Sequence, residues 1–187
     1  SVTAKTRGGL LDNGELDCVI ASFTVTDERK KSWNFTQQYR LEPVTFMVSK
    51  DSGAKTLADM DGFVIGVGQG TTTAELIEQY AKDKGIDVNY EVQDFQYISD
   101  GVAALKTGQI DAYSVDRTGL IAYMDDSMML TEDAFGVQDI GIALKLGNDE
   151  LTKFMDDTLT ELKESGRLDE LKAKWGILTD EEVAAMQ

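Results

Sequence analysis

Histidine is absent from the 187 residues of this chain. That absence removes the commonest general base and the commonest side-chain metal ligand together, so triad chemistry and a metal site have little to build on. The single cysteine, Cys18, has no second thiol for an internal disulfide, and the fold must stand on packing alone. No apolar run approaches the roughly 20 residues needed to span a bilayer, and no basic-then-apolar leader stands at Ser1. Positive charge is scarce: 18 Lys plus Arg stand against 34 Asp plus Glu, a net charge of −16. Such a surface repels phosphate backbones and anionic lipid alike, which argues against nucleic acid or membrane as a partner. With 42% hydrophobic and 28% charged residues, the remaining composition is ordinary for a soluble globular protein. The length suits one domain or two small ones.

The clearest signal present is an internal repeat. Leu11-Asp12-Asn13-Gly14-Glu15-Leu16-Asp17-Cys18 is echoed by Leu105-Lys106-Thr107-Gly108-Gln109-Ile110-Asp111-Ala112. Each copy reads as a helix end, a glycine cap and a short buried strand, predicted over 16–21 and 110–115. The shared context favours two lobes built on one plan. Between the copies, a strand over 63–67 meets a Gly68-Gln69-Gly70 turn and a helix over about 72–84 closed by Gly85. A strand over 88–92 and helices over 98–107 and 117–124 follow, an alternation that predicts a parallel α/β sheet. An earlier strand over 44–48 holds the only proline, Pro43, at its start. Towards the C-terminus, Leu151, Phe154, Met155, Leu159 and Leu162 mark one helical face ending at Gly166. Leu168, Leu171 and Trp175 mark a second, stopped by Gly176. Both stripes are predicted as core. Thr179 and Glu182 stand at capping-box spacing.

Ligands of open parallel α/β sheets bind beyond the carboxyl ends of the strands. Five residues past Asp17 and Asp111 lie Ser22 and Asp116, both expected at strand ends. The run from Phe23 leads to Arg29, whose planar fork suits a carboxylate, or which pairs on the surface with Asp27 or Glu28. The turn over 68–72 precedes a helix, with Thr72 and Glu75 at capping-box spacing. Its N–H groups either receive an anion or simply link strand to helix. The glycines from Gly66 miss the dinucleotide spacing and no P-loop lysine follows, so a carboxylate fits better than a nucleotide phosphate. Asp116 either takes an ammonium or N-caps the helix at Arg117. Tyr97 and Tyr113 read as core or rim aromatics, and Arg7 as a solvated helix residue. Together these positions describe two carboxylate holders and one ammonium acceptor, which a free amino acid requires. No cofactor, metal or catalytic residue is expected.

These residues also carry a resemblance. Leu11 to Tyr39, through Asn13-Gly14-Glu15-Leu16-Asp17, Thr24-Val25-Thr26-Asp27-Glu28-Arg29-Lys30-Lys31 and Asn34-Phe35-Thr36, resembles the signature of the polar amino-acid solute-binding proteins. These are the family-3 receptors of ABC importers. The Gly70-Thr71-Thr72 turn, the run Asp111 to Asp116 and Lys174-Trp175-Gly176 look like that family too. Lys5-Thr6-Arg7-Gly8 and Tyr113-Ser114-Val115-Asp116 look closest to its aspartate/glutamate-binding branch. The resemblance implies that Arg29 grips the ligand α-carboxylate, helped by backbone groups near Thr24, Thr71 and Thr72. It implies that Asp116 takes the α-ammonium with the Ser22 carbonyl, that Arg7 reaches a side-chain carboxylate, and that Tyr97 lies near the ligand side chain. Arg40 and Leu41 depart from the usual aromatic or small residues, and Ile140 stands where tyrosine is common.

The fold expected from the resemblance is α/β, two-lobed and periplasmic-binding-protein-like (type II). The first strand-helix-strand of lobe 1 is expected to be missing, with residues 1–3 as the tail of its second strand. Lobe 1 is expected over 1–47 and 141–187 and lobe 2 over 48–140, joined by two crossing strands that hinge closure on the ligand. The implied role is extracytoplasmic, in the periplasm or lipid-anchored at the cell surface, with an ABC transporter permease as partner. A lobe short of strands exposes a sheet edge that invites pairing or swapping with a second copy. Rival readings are a dehydratase resembling cyclohexadienyl dehydratase, which needs a general acid for which no carboxylate here stands out, and a ligand-sensing module on the same fold.

Overall fold

The computed structural model describes residues 2–186; Ser1 and Gln187, the outer bounds of the expected first lobe, lie outside the described residues. Two compact units are present. One comprises Val2, Thr6–Glu42 and the chain from Gln138 onward; the other comprises Thr3–Lys5 and Pro43–Val137.

The first unit starts with α1 (Arg7–Asp12), β1 (Cys18–Val19), α2 (Asp27–Lys30) and β2 (Trp33–Phe35). After the second unit it resumes with β9 (Ala143–Lys145), α6 (Asp149–Glu164), α7 (Arg167–Lys174) and α8 (Asp180–Ala184). Its sheet runs β1-β9-β2 with both pairings antiparallel. Leu11, Val19, Phe23 and Ala143 form one core cluster against Trp33 and Phe35; Ile142, Leu144 and Leu159 form another against Leu151 and Met155. The helical stripes are only partly core. Phe154 is 64% exposed, because Leu151, Met155 and Leu159 already fill the buried face of α6, and Trp175, just past α7, is 70% exposed. The capping box of Thr179 and Glu182 forms as the spacing requires.

The second unit holds β3 (Arg40–Ser49, whose first residues belong to the first unit), β4 (Phe63–Gly68), α3 (Thr73–Lys84), β5 (Tyr90–Phe95) and α4 (Ile98–Lys106). These are followed by β6 (Ala112–Asp116), α5 (Arg117–Ile121), β7 (Met128–Leu130) and β8 (Phe135–Ile140, whose last residues belong to the first unit). The sheet order is β5-β4-β6-β3-β7, with β8 also on β3. It is mixed: β4 pairs in parallel with β5 and β6, whereas β3 pairs antiparallel with β6 and β7. One face packs Phe46, Leu57, Ile65 and Ile77; the other packs Met47, Leu105, Tyr113 and Leu120.

The unit boundaries at 42/43 and 137/138 differ from the 47/48 and 140/141 expected. The reason is pairing: Val44 to Val48 zip against β6 and therefore belong to the second unit. Pro43 stands inside β3 instead of at a strand start, just ahead of the registers with β6 and β7. Val2 and Thr3 lie in no strand, and Thr3–Lys5 belong to the second unit, so the expected strand tail is not formed there.

The repeat is geometric as well as textual. In the first copy Gly14 N donates to Leu11 O (3.1 Å) and Glu15 N to Leu10 O (2.9 Å). In the second, Gly108 N donates to Leu105 O (3.1 Å) and Gln109 N to Ala104 O (2.9 Å). Both glycines hold positive φ, 72° and 71°, the left-handed closure that glycine adopts at no steric cost.

Candidate functional site

In the first unit the site grows from a turn. β1 pairs with β9 only through Cys18 and Val19, and Phe23 N then donates to Ala21 O at 2.7 Å. Ser22 therefore lies in a turn three residues past β1, not at a strand end. The turn drives Phe23 into the core against Trp33 and Phe35, at ring-centroid distances of 5.4 and 5.2 Å, and leaves Ser22 and Thr24 half-buried.

Phe23 carries two guanidinium groups. Arg7 Cζ stands 3.9 Å from its ring centroid and Arg29 Cζ 5.0 Å, contacts of about 0.5–2 kcal/mol each. Arg7 Nη1 donates to Ser22 O at 2.6 Å, and Arg29 Nη1 to Thr24 O at 2.9 Å. Arg7 is 5% exposed and so is not a solvated helix residue; α1 buries it against Phe23. Beside Arg29, Asp27 pairs with Lys30 and Glu28 with Lys31. Thr26 caps α2 by accepting from Arg29 N at 3.1 Å, which fixes where the Arg29 side chain starts.

A third arginine joins the same turn. Arg40 Nη2 donates to Ser22 Oγ at 2.6 Å while Nη1 pairs with Glu42. Three of the five arginines in the chain thus bond Ser22 or Thr24. Thr24 Oγ1 also donates to Gln138 Oε1 at 2.6 Å, and Tyr39 OH to Ala21 O at 3.0 Å. Sequence reasoning did not find Phe23, Glu42 or Gln138, and saw Arg40 only as a departure. The one available signal was the i, i+2 spacing of Arg40 and Glu42, which puts both on one face of a strand.

In the second unit β4 and β6 are parallel neighbours, with Val67 opposite Ser114, so their carboxyl ends lie side by side. The turn after β4 is held by Thr71 Oγ1, which bonds Gly68 O at 2.7 Å and Thr73 Oγ1 at 3.1 Å. Gly70 is required there: its φ is +78°, and a Cβ would stand 2.9 Å from Lys5 Cα. Thr72 occupies the N-cap position of α3, but the capping box with Glu75 is not formed. Its φ of −92° and ψ of 1° depart from the extended cap geometry that aims a side-chain oxygen at the helix N–H groups. Asp116 ends β6 at the N-cap position of α5, yet its side chain makes no capping bond, so the capping alternative is not realised. Tyr97 follows the carboxyl end of β5 and is 50% exposed, a rim aromatic. Tyr113 is fully buried.

A separate cavity of about 300 Å³ lies at the amino ends of β4 and β6, lined by Phe63, Leu105, Ile110 and Asp111. Its carboxylate, Asp111, accepts from Val64 N at 2.9 Å. Among the described residues no group of three His, Cys, Asp or Glu is placed to hold a metal, and no helix is long and apolar enough to cross a membrane.

Residues 1–177 match the family described as bacterial extracellular solute-binding proteins, family 3. The chain is 35% identical over 170 residues to the L-cystine-binding protein TcyJ of Escherichia coli, covering 88% of this chain and 62% of that protein. It is 32% identical over 177 residues to the ABC transporter glutamine-binding protein GlnH of Bacillus subtilis, covering 93% and 63%. Among solved structures, an ancestral arginine-binding protein bound to arginine matches with a TM-score of 0.81 at 30% identity, covering 93% of this chain and 77% of that one. The chain therefore spans under two thirds of the length of these two curated relatives. The fold is the α/β fold of type II periplasmic binding proteins. With the match running over nearly all of its length, the chain belongs to the bacterial extracellular solute-binding proteins, family 3.

Proposed function

We propose that this chain receives an amino acid outside the cytoplasm for an ABC importer and hands it to the permease. The α-carboxylate is assigned to Arg29, with Thr24 in the first unit and Thr71 and Thr72 in the second. The α-ammonium is assigned to Asp116. Arg7 is assigned to a side-chain carboxylate, with Tyr97 near the side chain, so the preferred ligands are glutamate, aspartate or another amino acid with a second carboxylate. Cystine, which the relative from Escherichia coli is named for, meets the same description.

The observation that carries this reading is the convergence of arginines on one turn in a chain of net charge −16. Each fork is fixed by carbonyl, aromatic or carboxylate contacts, the preorganisation that bidentate carboxylate recognition needs. The relatives support an amino acid as the ligand class; their names give cystine, glutamine and arginine.

Thermal unfolding in the presence of single amino acids tests the proposal. A ligand at a hundred times its Kd adds about 2.7 kcal/mol, a rise of roughly 5–10 °C at this chain length. Glutamate, aspartate or cystine is expected to give that rise, and N-acetylglutamate, which lacks the ammonium, is expected to give none. No shift with any amino acid would overturn the function; an equal shift with N-acetylglutamate would overturn the role of Asp116.

A further inference from the structure

We propose that α8 is a strap that anchors the first-unit end of β3, with Asp180 as its clasp, so that a ligand meets a crossing strand already held at its root. This rests on the amino-acid reading above and adds a conformational element to it. The family match ends at residue 177, and α8 lies beyond it at Asp180–Ala184. For so short a helix it is firmly placed. Thr179 and Glu182 close its capping box, and Val183 is fully buried. An isolated helix of this length is not stable in water, so α8 is held by what it packs against.

The first residue of α8 reaches the run that enters β3. Asp180 accepts from Lys172 Nζ of α7 at 2.9 Å, from Gln38 Nε2 at 3.4 Å and from the Leu41 amide. Lys172 is 6% exposed, so its ammonium and the Asp180 carboxylate fix each other in place. Upstream, α6 holds the same run: Asp156 Oδ1 accepts from Gln37 N and Lys163 Nζ donates to Gln38 O, both at 2.7 Å. The clasp extends that grip to Leu41, inside β3. One residue further on, β3 leaves the first unit, which ends at Glu42, and continues in the second from Pro43. Hinge motion is absorbed by a few residues at such a crossing. An anchor reaching Leu41 confines it to the residues beyond. With a loose anchor, binding would also have to order residues 38–41, each at roughly 5–30-fold in affinity.

Hydrogen exchange at the Leu41 amide and calorimetric affinities for glutamate, aspartate and cystine test this in the parent chain, Asp180→Ala, Val183→Ser and Asn148→Ala. The last removes the N-cap of α6, which lowers the stability of the same unit away from residues 38–41. Asp180→Ala is expected to speed Leu41 exchange by roughly 10–100-fold, the loss of a hydrogen bond to a charged group. It is also expected to weaken binding by roughly 5–30-fold. Val183→Ser, which undocks α8 without touching the clasp, is expected to do the same, and Asn148→Ala to do neither. Unchanged Leu41 exchange in Asp180→Ala, or an affinity that stays level or rises, would overturn the strap while leaving the amino-acid reading intact. An equal loss of affinity in Asn148→Ala would do so too. A parent chain that binds none of the three overturns both. Should Asp180→Ala fail to fold, Asp180→Asn, which keeps the shape and drops the charge, decides by the same two readouts.

Discussion

Adjacent glycines in α1 are predicted to respond to alanine in opposite directions. A Cβ at Gly8 would stand 2.4 Å from Trp33 Cζ2, whereas a Cβ at Gly9 meets nothing within 4 Å. Ordinary carbon contacts stand at about 3.5–4.0 Å, so Gly8→Ala must part helix and ring by about 1 Å. Trp33 cannot simply swing away: its Nε1 donates to Asp12 Oδ1 at 2.9 Å, and its ring packs on Phe23. The movement falls on α1 and carries Arg7 with it, stretching the 2.6 Å bond to Ser22 O beyond hydrogen-bonding range. Overpacking costs about 1–3 kcal/mol, and the better helix propensity of alanine returns about 1 kcal/mol. With the bond to a charged group also lost, at about 1.5–3 kcal/mol, the net loss is roughly 1.5–5 kcal/mol. At about 2–4 °C per kcal/mol the melting temperature falls by roughly 3–20 °C. Gly9→Ala keeps only the propensity term and is expected to raise it by roughly 2–4 °C. Thermal melts followed by near-ultraviolet circular dichroism measure both. Shifts of the same sign in the two variants would refute the packing argument and, with it, the account of how Arg7 is held.

Two further predictions concern tyrosines of the second unit. The Tyr113 hydroxyl is buried without a hydrogen-bond partner, and burial, then the charge of Asp100, push its ionisation well above the ordinary tyrosine value. Tyr113→Phe removes an unsatisfied polar group and is expected to raise stability by about 1–3 kcal/mol in urea titrations. The Tyr80 hydroxyl, raised from 10.0 to about 12 by burial and then by its bond to Asp133, favours folding only while protonated. Its contribution is complete below pH 10 and is lost as pH rises towards 12; Tyr80→Phe is expected to flatten the fall in melting temperature across that window.

Much of the architecture was legible because its signals are local. The Gly14, Gly85 and Gly108 closures follow from positive φ, and the strands of the second unit follow from runs buried on both faces. The repeat placed Asp116 at a strand end correctly. It misplaced Ser22, because β1 stops two residues into its pairing while β6 runs for five. Phe154 and Trp175 have helical spacing yet stay largely exposed. The Arg40–Glu42–Ser22 group was not legible, since the Arg40–Ser22 bond joins residues 18 apart in the chain. Thr72 shows the converse: its spacing to Glu75 promised a cap that its backbone angles do not make.

The central claim is that this chain binds an amino acid through Arg29. Isothermal titration with aspartate, glutamate, glutamine, cystine and arginine, on the parent and on folded Arg29→Ala, tests it most directly. The account predicts saturable one-to-one binding of a ligand with a second carboxylate by the parent, and its loss in Arg29→Ala. Silence of the parent across all five, or equal affinity in the variant, would contradict it.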